Sequence, residues 1–166
     1  ETVEGLLHEP IVLSEKLDGG NTVLLTNCIY ARSHAGSPTH VSFDWLKSWH
    51  AQNRHLIPTN YSVFCEYTYA VHTIVYDVLP SYIWVIGVRD DESGFWSPWS
   101  DVELFAAELQ LPTVPVLWNG TVESEAELEK LTSRLGLAPG LFGEREGVVA
   151  RVEREFDESE FSSVIG

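Results

Sequence analysis

The apolar run Ile11-Val12-Leu13 leads straight into Ser14-Glu15-Lys16, and the chain then meets Asp18-Gly19-Gly20-Asn21. An aliphatic, β-branched run reads as a strand, and paired glycines behind an aspartate read as a turn. The strand must therefore stop at or beside Lys16. That places the lysine on the last rung of a sheet, held in position, with a tight turn beyond it. Residues 12–15 and 22–31 are predicted as strands flanking this turn in a hairpin-like arrangement, with the glycines supplying positive φ.

Other segments carry the same kind of signal. Residues 62–69, 82–88, 114–118, 147–152 and 161–165 are short runs rich in β-branched and aromatic side chains, and each is predicted to be a strand. Residues 43–52 have a helical period that puts Phe43, Leu46 and Trp49, or alternatively Trp45 and Trp49, on one face, and the tryptophans are expected to face the core. Ser100-Asp101-Val102-Glu103 and Ser124-Glu125-Ala126-Glu127 have the pattern of capping boxes. They are expected to open helices that end near Gln110 and Gly136. Strands joined by hairpins and loops, with helices set among them, predict an α+β fold of antiparallel β-sheets flanked by helices. With no repeat, linker or low-complexity tract, residues 1–166 read as a single domain. The sequence opens on Glu1 rather than Met and stops at Gly166, so further residues are expected at both ends.

Composition excludes several classes. Hydrophobic residues make up 44% and charged residues 21%, which is ordinary for a folded domain. No apolar stretch approaches the length of a membrane span and no signal peptide is visible, so a cytoplasmic protein is expected. Cys28 and Cys65 stand alone in apolar runs and are expected to be buried free thiols. The six histidines lack zinc-site spacing. The charge balance is 10 Lys and Arg against 25 Asp and Glu, a net −15. A protein that grips nucleic acid by its phosphates uses basic residues, so tight backbone binding is not expected.

Downstream of Lys16 come Arg32-Ser33, Phe64-Cys65-Glu66-Tyr67 and Glu146-Gly147-Val148-Val149-Ala150-Arg151. Their order and spacing resemble the covalent nucleotidyltransferases, the superfamily of ATP-dependent ligases and mRNA capping enzymes. Residues 64–90 narrow the match. Glu66, Tyr69-Ala70, His72 and Tyr76-Asp77-Val78-Leu79-Pro80 resemble the ATP-dependent RNA ligase family, in which such a segment runs on to a strand ending in Phe-Asp. The resemblance implies a nucleotidyltransferase (ATP-grasp-like ligase) adenylation domain in which Lys16 attacks ATP and carries AMP as a lysyl-AMP. By the same resemblance, Glu146 holds a divalent metal, Mg²⁺ or Mn²⁺, with help from Asp18. Glu15 flanks the nucleotide, Glu66 bonds its ribose, Arg32 meets its ribose or phosphate and Asn21 orients a phosphate. Ile86 and Val148 sandwich the adenine, and His72 lies toward an RNA 5′-phosphate. The implied partners are RNA 5′-phosphate and 3′-hydroxyl ends, joined by a monomer acting in RNA repair.

The match has departures. Ile86-Gly87 stand where the family has Phe-Asp, Val71 where a lysine is common, and Cys65 where a glycine precedes the glutamate. The family's final basic motif is expected just after Gly166. A DNA ligase or capping-type enzyme is the rival activity, separable by nucleotide preference. A degenerate, non-catalytic nucleotide-binding module is the rival of a different class, separable by incubation with labelled ATP.

Overall fold

The computed structural model describes residues 3–31, 38–76, 78–140 and 142–166. Its strands form two antiparallel sheets. The smaller contains β1 (Ile11–Lys16), β7 (Val116–Gly120) and β8 (Gly147–Val152), in the order β7-β1-β8. The larger contains β2 (Gly20–Leu24), β3 (Ile29–Ala31), β4 (Tyr61–Tyr67), β5 (Ile83–Asp90), β6 (Phe95–Trp96) and β9 (Phe156–Asp157), in the order β3-β2-β4-β5-β6-β9. Helices α1 (Asp44–Asn53), α2 (Trp99–Glu108), α3 (Glu125–Leu137) and α4 (Phe161–Val164) complete the fold.

Two apolar clusters hold these layers. One gathers Leu46 of α1, Val63 and Cys65 of β4, Ile83, Val85 and Val88 of β5, and Val102 and Ala106 of α2. The other gathers Ile11 and Leu13 of β1, Ala150 and Val152 of β8, Trp96, Phe156, Leu128 of α3 and Val164 of α4. Leu13, Leu46, Val63, Val85, Val102 and Phe156 are completely buried.

The predicted hairpin at Gly19-Gly20 does not form. β1 pairs with β7 and β8, whereas β2 pairs with β3 and β4, so the chain leaves one sheet at Lys16 and enters the other at Gly20. Neither glycine has positive φ among the described residues that do. Gly19 is required for another reason. A Cβ there would lie 2.5 Å from the Tyr67 carbonyl oxygen, so only a residue without a side chain lets the crossing pass so close to β4.

Other expectations shift. The predicted strand over residues 22–31 divides into β2 and β3, which themselves form the hairpin. The strand predicted over residues 114–118 lies at Val116–Gly120. Residues 161–164 are helical, and of the predicted final strand only a bridge from Ile165 to Arg151 remains. α2 starts at Trp99 behind Pro98, with no capping side chain, which puts Ser100 and Asp101 inside the first turn. α3 does begin as predicted, with Ser124 Oγ accepting from the Glu127 backbone N–H. Trp45 is 38% exposed instead of buried, and Cys28 is only half-buried while Cys65 is fully enclosed.

Gly19→Ala is expected to destabilise the protein by about 1–3 kcal/mol, the cost of forcing a group into packed backbone. A urea melt of the variant beside wild type measures it, and an unchanged midpoint would mean that the crossing has room to move.

Candidate active site

The register of the small sheet decides which side chains share a face. Lys16 of β1 stands opposite Gly147 of β8, Glu15 opposite Val148, and Ser14 opposite Val149. Directly opposed residues in an antiparallel pair point to the same side, and successive residues alternate. Glu15 and Val148 therefore face one way, while Ser14, Lys16, Gly147 and Val149 face the other. Val148 packs on the cluster of Leu13 and Ala150. Val149, opposite Ser14, is the aliphatic residue of β8 on the Lys16 face.

Lys16 Nζ lies 3.1 Å from Glu146 Oε1, just ahead of β8. Both side chains are partly open to solvent. One residue earlier in the chain in each case, the side chains of Glu15 and Arg145 are buried, with Arg145 Nε 3.9 Å from Glu15 Oε2. The Arg145 guanidinium also donates to the carbonyls of Leu135 and Pro139 and so ties the end of α3 to the start of β8. Arg145 escaped the sequence reading because its spacing matches no motif. Its neighbour Glu146 drew the attention.

The larger sheet supplies the opposite wall. Asn21 of β2 stands opposite Glu66 of β4, and Glu66 opposite Trp84 of β5, giving one row across three strands. The Gly19 backbone N–H donates to Glu66 Oε1 at 3.0 Å. Burial pushes the Glu66 carboxyl up to about 7, with the charges of Glu146 and Asp18 adding to the effect. The Gly19 hydrogen bond and Lys16 oppose it without cancelling it.

Asp18 holds the loop that follows β4. One of its oxygens, Oδ2, accepts from the backbone N–H groups of Thr73 and Ile74, each at 2.6 Å, and its own N–H donates to the Tyr76 hydroxyl at 2.6 Å. His72 sits exposed on that loop, immediately before the two residues that Asp18 clamps. Arg32 lies outside the described residues.

Ile86 falls where β5 slips by one residue against β4, because Gly87 is opposite Phe64 while Val85 is opposite Cys65. Opposite Glu66 on β5 stands Trp84, which is buried. It packs 5.2 Å from the Phe142 ring and donates its indole N–H to Thr68 Oγ1 at 3.2 Å. Gly87 leaves room for Trp96, whose ring a Cβ would approach to 3.1 Å.

Among the described residues no three His, Cys, Asp or Glu side chains form a metal cage. The chemistry of the donors nonetheless fits a cation of the Mg²⁺ type, which one or two carboxylates hold while substrate phosphates and water fill the remaining positions. Glu146 and the second oxygen of Asp18 are available in kind for that role.

Residues 9–165 match the family profile described as RNA ligase. The chain belongs to this RNA ligase family. Its fold is that of the Naegleria gruberi RNA ligase. A substituted form of that enzyme solved with ATP and Mn superposes with a TM-score of 0.72 at 13% identity, covering 94% of this chain and 50% of that one. The same enzyme with PPi gives 0.72 at 13% identity over 96% of this chain and 52% of that one. Another substituted form, with AMP and Mn, gives 0.72 at 12% identity, covering 94% and 51%. The chain thus spans about half the length of these structures. No curated protein is matched by sequence. No helix among the described residues of this RNA ligase family member is long and apolar enough to cross a membrane.

The Glu66 shift has a defined sign in the ligand-free protein. Its folded pKa, about 7, is above the ordinary 4.5, so the folded state holds the proton more tightly. The stabilisation is fully present below 4.5 and is lost as pH rises through 7. Wild type should therefore melt at a lower temperature at about pH 8 than at about pH 5, and Glu66→Gln should show a flatter profile. Parallel thermal melts across that range check it, and equal slopes would place the proton elsewhere.

Proposed function

We propose that this chain is the nucleotidyltransferase core of an ATP-dependent RNA ligase. Lys16 Nζ attacks the α-phosphorus of ATP, so that a nitrogen–phosphorus bond forms while the bond to pyrophosphate breaks. The amine gives up its proton and AMP remains on Lys16. The AMP then passes to an RNA 5′-phosphate, and a 3′-hydroxyl displaces it to leave a phosphodiester. The observation that carries this reading is the Lys16–Glu146 contact at 3.1 Å, with Glu66 on the facing sheet. That the Naegleria enzyme was solved with ATP and Mn, with AMP and Mn, and with PPi supports the same substrate and the same products.

The roles follow from position. Lysine is ordinarily protonated at neutral pH and only its neutral form attacks, so the carboxylates around it must be offset. A divalent cation, Mg²⁺ or Mn²⁺, would supply that offset when bound, acting as a Lewis acid. Glu146 is the first choice to hold it, with Asp18 contributing as far as its loop contacts allow. Glu66 and Asn21, side by side on β2 and β4, suit the ribose and a phosphate. Trp84, by bracing the wall behind Glu66, keeps that carboxylate in place. Asp18 also fixes the 73–74 backbone, which makes His72 a candidate for the RNA 5′-phosphate.

The end of the sequence has a direction. Gly166 exchanges backbone hydrogen bonds with Ala150, so residues continuing that pairing would run beside Val149 and Gly147 toward Lys16. A basic motif following Gly166 would arrive at the nucleophile by this route.

Incubation of the full-length protein with ATP labelled at the α-phosphate and Mg²⁺ or Mn²⁺ tests the reading. An acid-labile, alkali-stable adduct is expected, and Lys16→Ala should abolish it. Full labelling of that variant would remove Lys16 as the nucleophile. Glu146→Ala should slow labelling on the order of a hundredfold at saturating ATP. Glu66→Ala should mainly raise the KM for ATP, by about tenfold. Equal effects on KM alone would contradict this division.

A further inference from the structure

One face beside the cleft carries aromatic surface that the core does not consume. Five rings from three segments meet there. Phe43 and Trp45 stack on Tyr67 at centroid distances of 5.5 and 6.5 Å, and Tyr69 lies nearly parallel to Tyr67 at 6.0 Å and 9°. Tyr82 meets Trp45 and Tyr69 edge to face at 5.2 and 5.1 Å. Tyr67 is the buried base of the group, its hydroxyl donating to the Ser42 carbonyl at 2.6 Å. The outer rings are open: Trp45 is 38% exposed, Tyr69 46% and Tyr82 39%. Rings already ordered by their neighbours lose little further freedom when a planar ligand stacks on them.

The position is as informative as the exposure. Tyr82 shares with Asp18, Thr68, Val71 and Tyr76 a cavity of about 210 Å³. Asp18 is two residues from Lys16, a span of at most about 7 Å. Tyr67 points to the other face of β4 from Glu66, so the platform meets the proposed cleft around the strand end, through Tyr82 and the cavity it shares with Asp18. Charge points the same way. With 10 basic residues against 25 acidic ones, neutralising phosphates cannot be this chain's main hold on RNA. Stacking a base on an aromatic ring needs no cation, and every base has a face to offer. A base inside a duplex keeps its faces in the helical stack and cannot offer them.

We propose that Trp45, Tyr69 and Tyr82 are a stacking platform for unpaired nucleobases of the RNA strand whose end enters the Lys16 cleft. The substrate class is then single-stranded RNA ends, not nicks in a duplex. This rests on the RNA ligase reading and specifies the substrate of that same site. The occupant is RNA and not a partner protein because Tyr82, which joins the other two open rings edge to face, lines the cavity that holds Asp18, where an end to be joined must pass.

The experiment is a fluorescence titration of the full-length protein with a 5′-phosphorylated oligoribonucleotide carrying 2-aminopurine near its end, used alone or annealed beside a nick. The single strand should bind with quenching and a shallow salt dependence. Tyr69→Ala and Tyr82→Ala should each weaken it roughly tenfold or more, while Tyr69→Phe and Tyr82→Phe, which keep the ring face, should bind as wild type. Labelling of Lys16 by ATP should be the same in all four variants, which also shows that they fold. Unchanged binding in the alanine variants would overturn the proposal, as would loss in the phenylalanine variants or equal binding of the nicked duplex. Self-association abolished by Tyr69→Ala, without a change in RNA binding, would instead make the face a contact between copies. A protein that stacks single strands but never labels defeats the ligase reading and not the platform. One that labels without stacking does the reverse.

Discussion

The antiparallel ladder between β1 and β8 is the constraint on which the rest depends. Six consecutive residues of β1, from Ile11 to Lys16, are opposed by Val152 back to Gly147. Because side chains alternate along both strands, this one register sends Leu13, Glu15 and Val148 beneath the sheet and Lys16, Gly147 and Val149 above it. A slip of one residue would exchange the two sets, burying Lys16 and exposing Leu13. Nothing local to Lys16 could enforce that choice. The aliphatic side chains that must be hidden enforce it from several residues away.

Charge is arranged in two tiers across the same strands. Beneath, Glu15 and Arg145 are enclosed, and the guanidinium is anchored to carbonyls at the end of α3. Above, Lys16 and Glu146 meet where solvent and substrate can reach them. A buried charged pair contributes little net stability, but it tolerates few alternative geometries. It stands one residue before Lys16 and Glu146 in the chain, so the two pairs share the same two backbone segments.

The sequence was most readable where a long apolar run left one option. β4, β5 and β8 were predicted close to their observed limits, and the Lys16, Glu66 and Glu146 motifs do converge on one cleft. It was least readable where partner choice is tertiary. Gly19-Gly20 has the composition of a hairpin turn, yet it serves as a crossing between sheets, because β2 finds β4 while β1 is held between β7 and β8. The serine–glutamate pattern at Ser100 lost its meaning once Pro98 set the start of α2. Phe161 to Val164 is apolar enough for a strand but folds as one helical turn, with Val164 packed into the core. At the site, motif spacing carries no face, so only the register shows that Val149 shares a side with Lys16 and that Trp84 stands opposite Glu66.

The crossing at Leu17-Asp18-Gly19 makes the two walls of the cleft a single mechanical unit. Lys16 ends one sheet and Gly20 begins the other, and the three residues between them are hydrogen-bonded through their backbone to Glu66 and to Tyr76. Such a joint leaves the sheets almost no freedom to part at this corner, and any opening of the cleft must pivot about it from the far side. An inserted residue here would uncouple the walls. The turn between β2 and β3 joins strands of a single sheet, and its ties run instead to Ile57 through Thr26 and to His50 through Leu25.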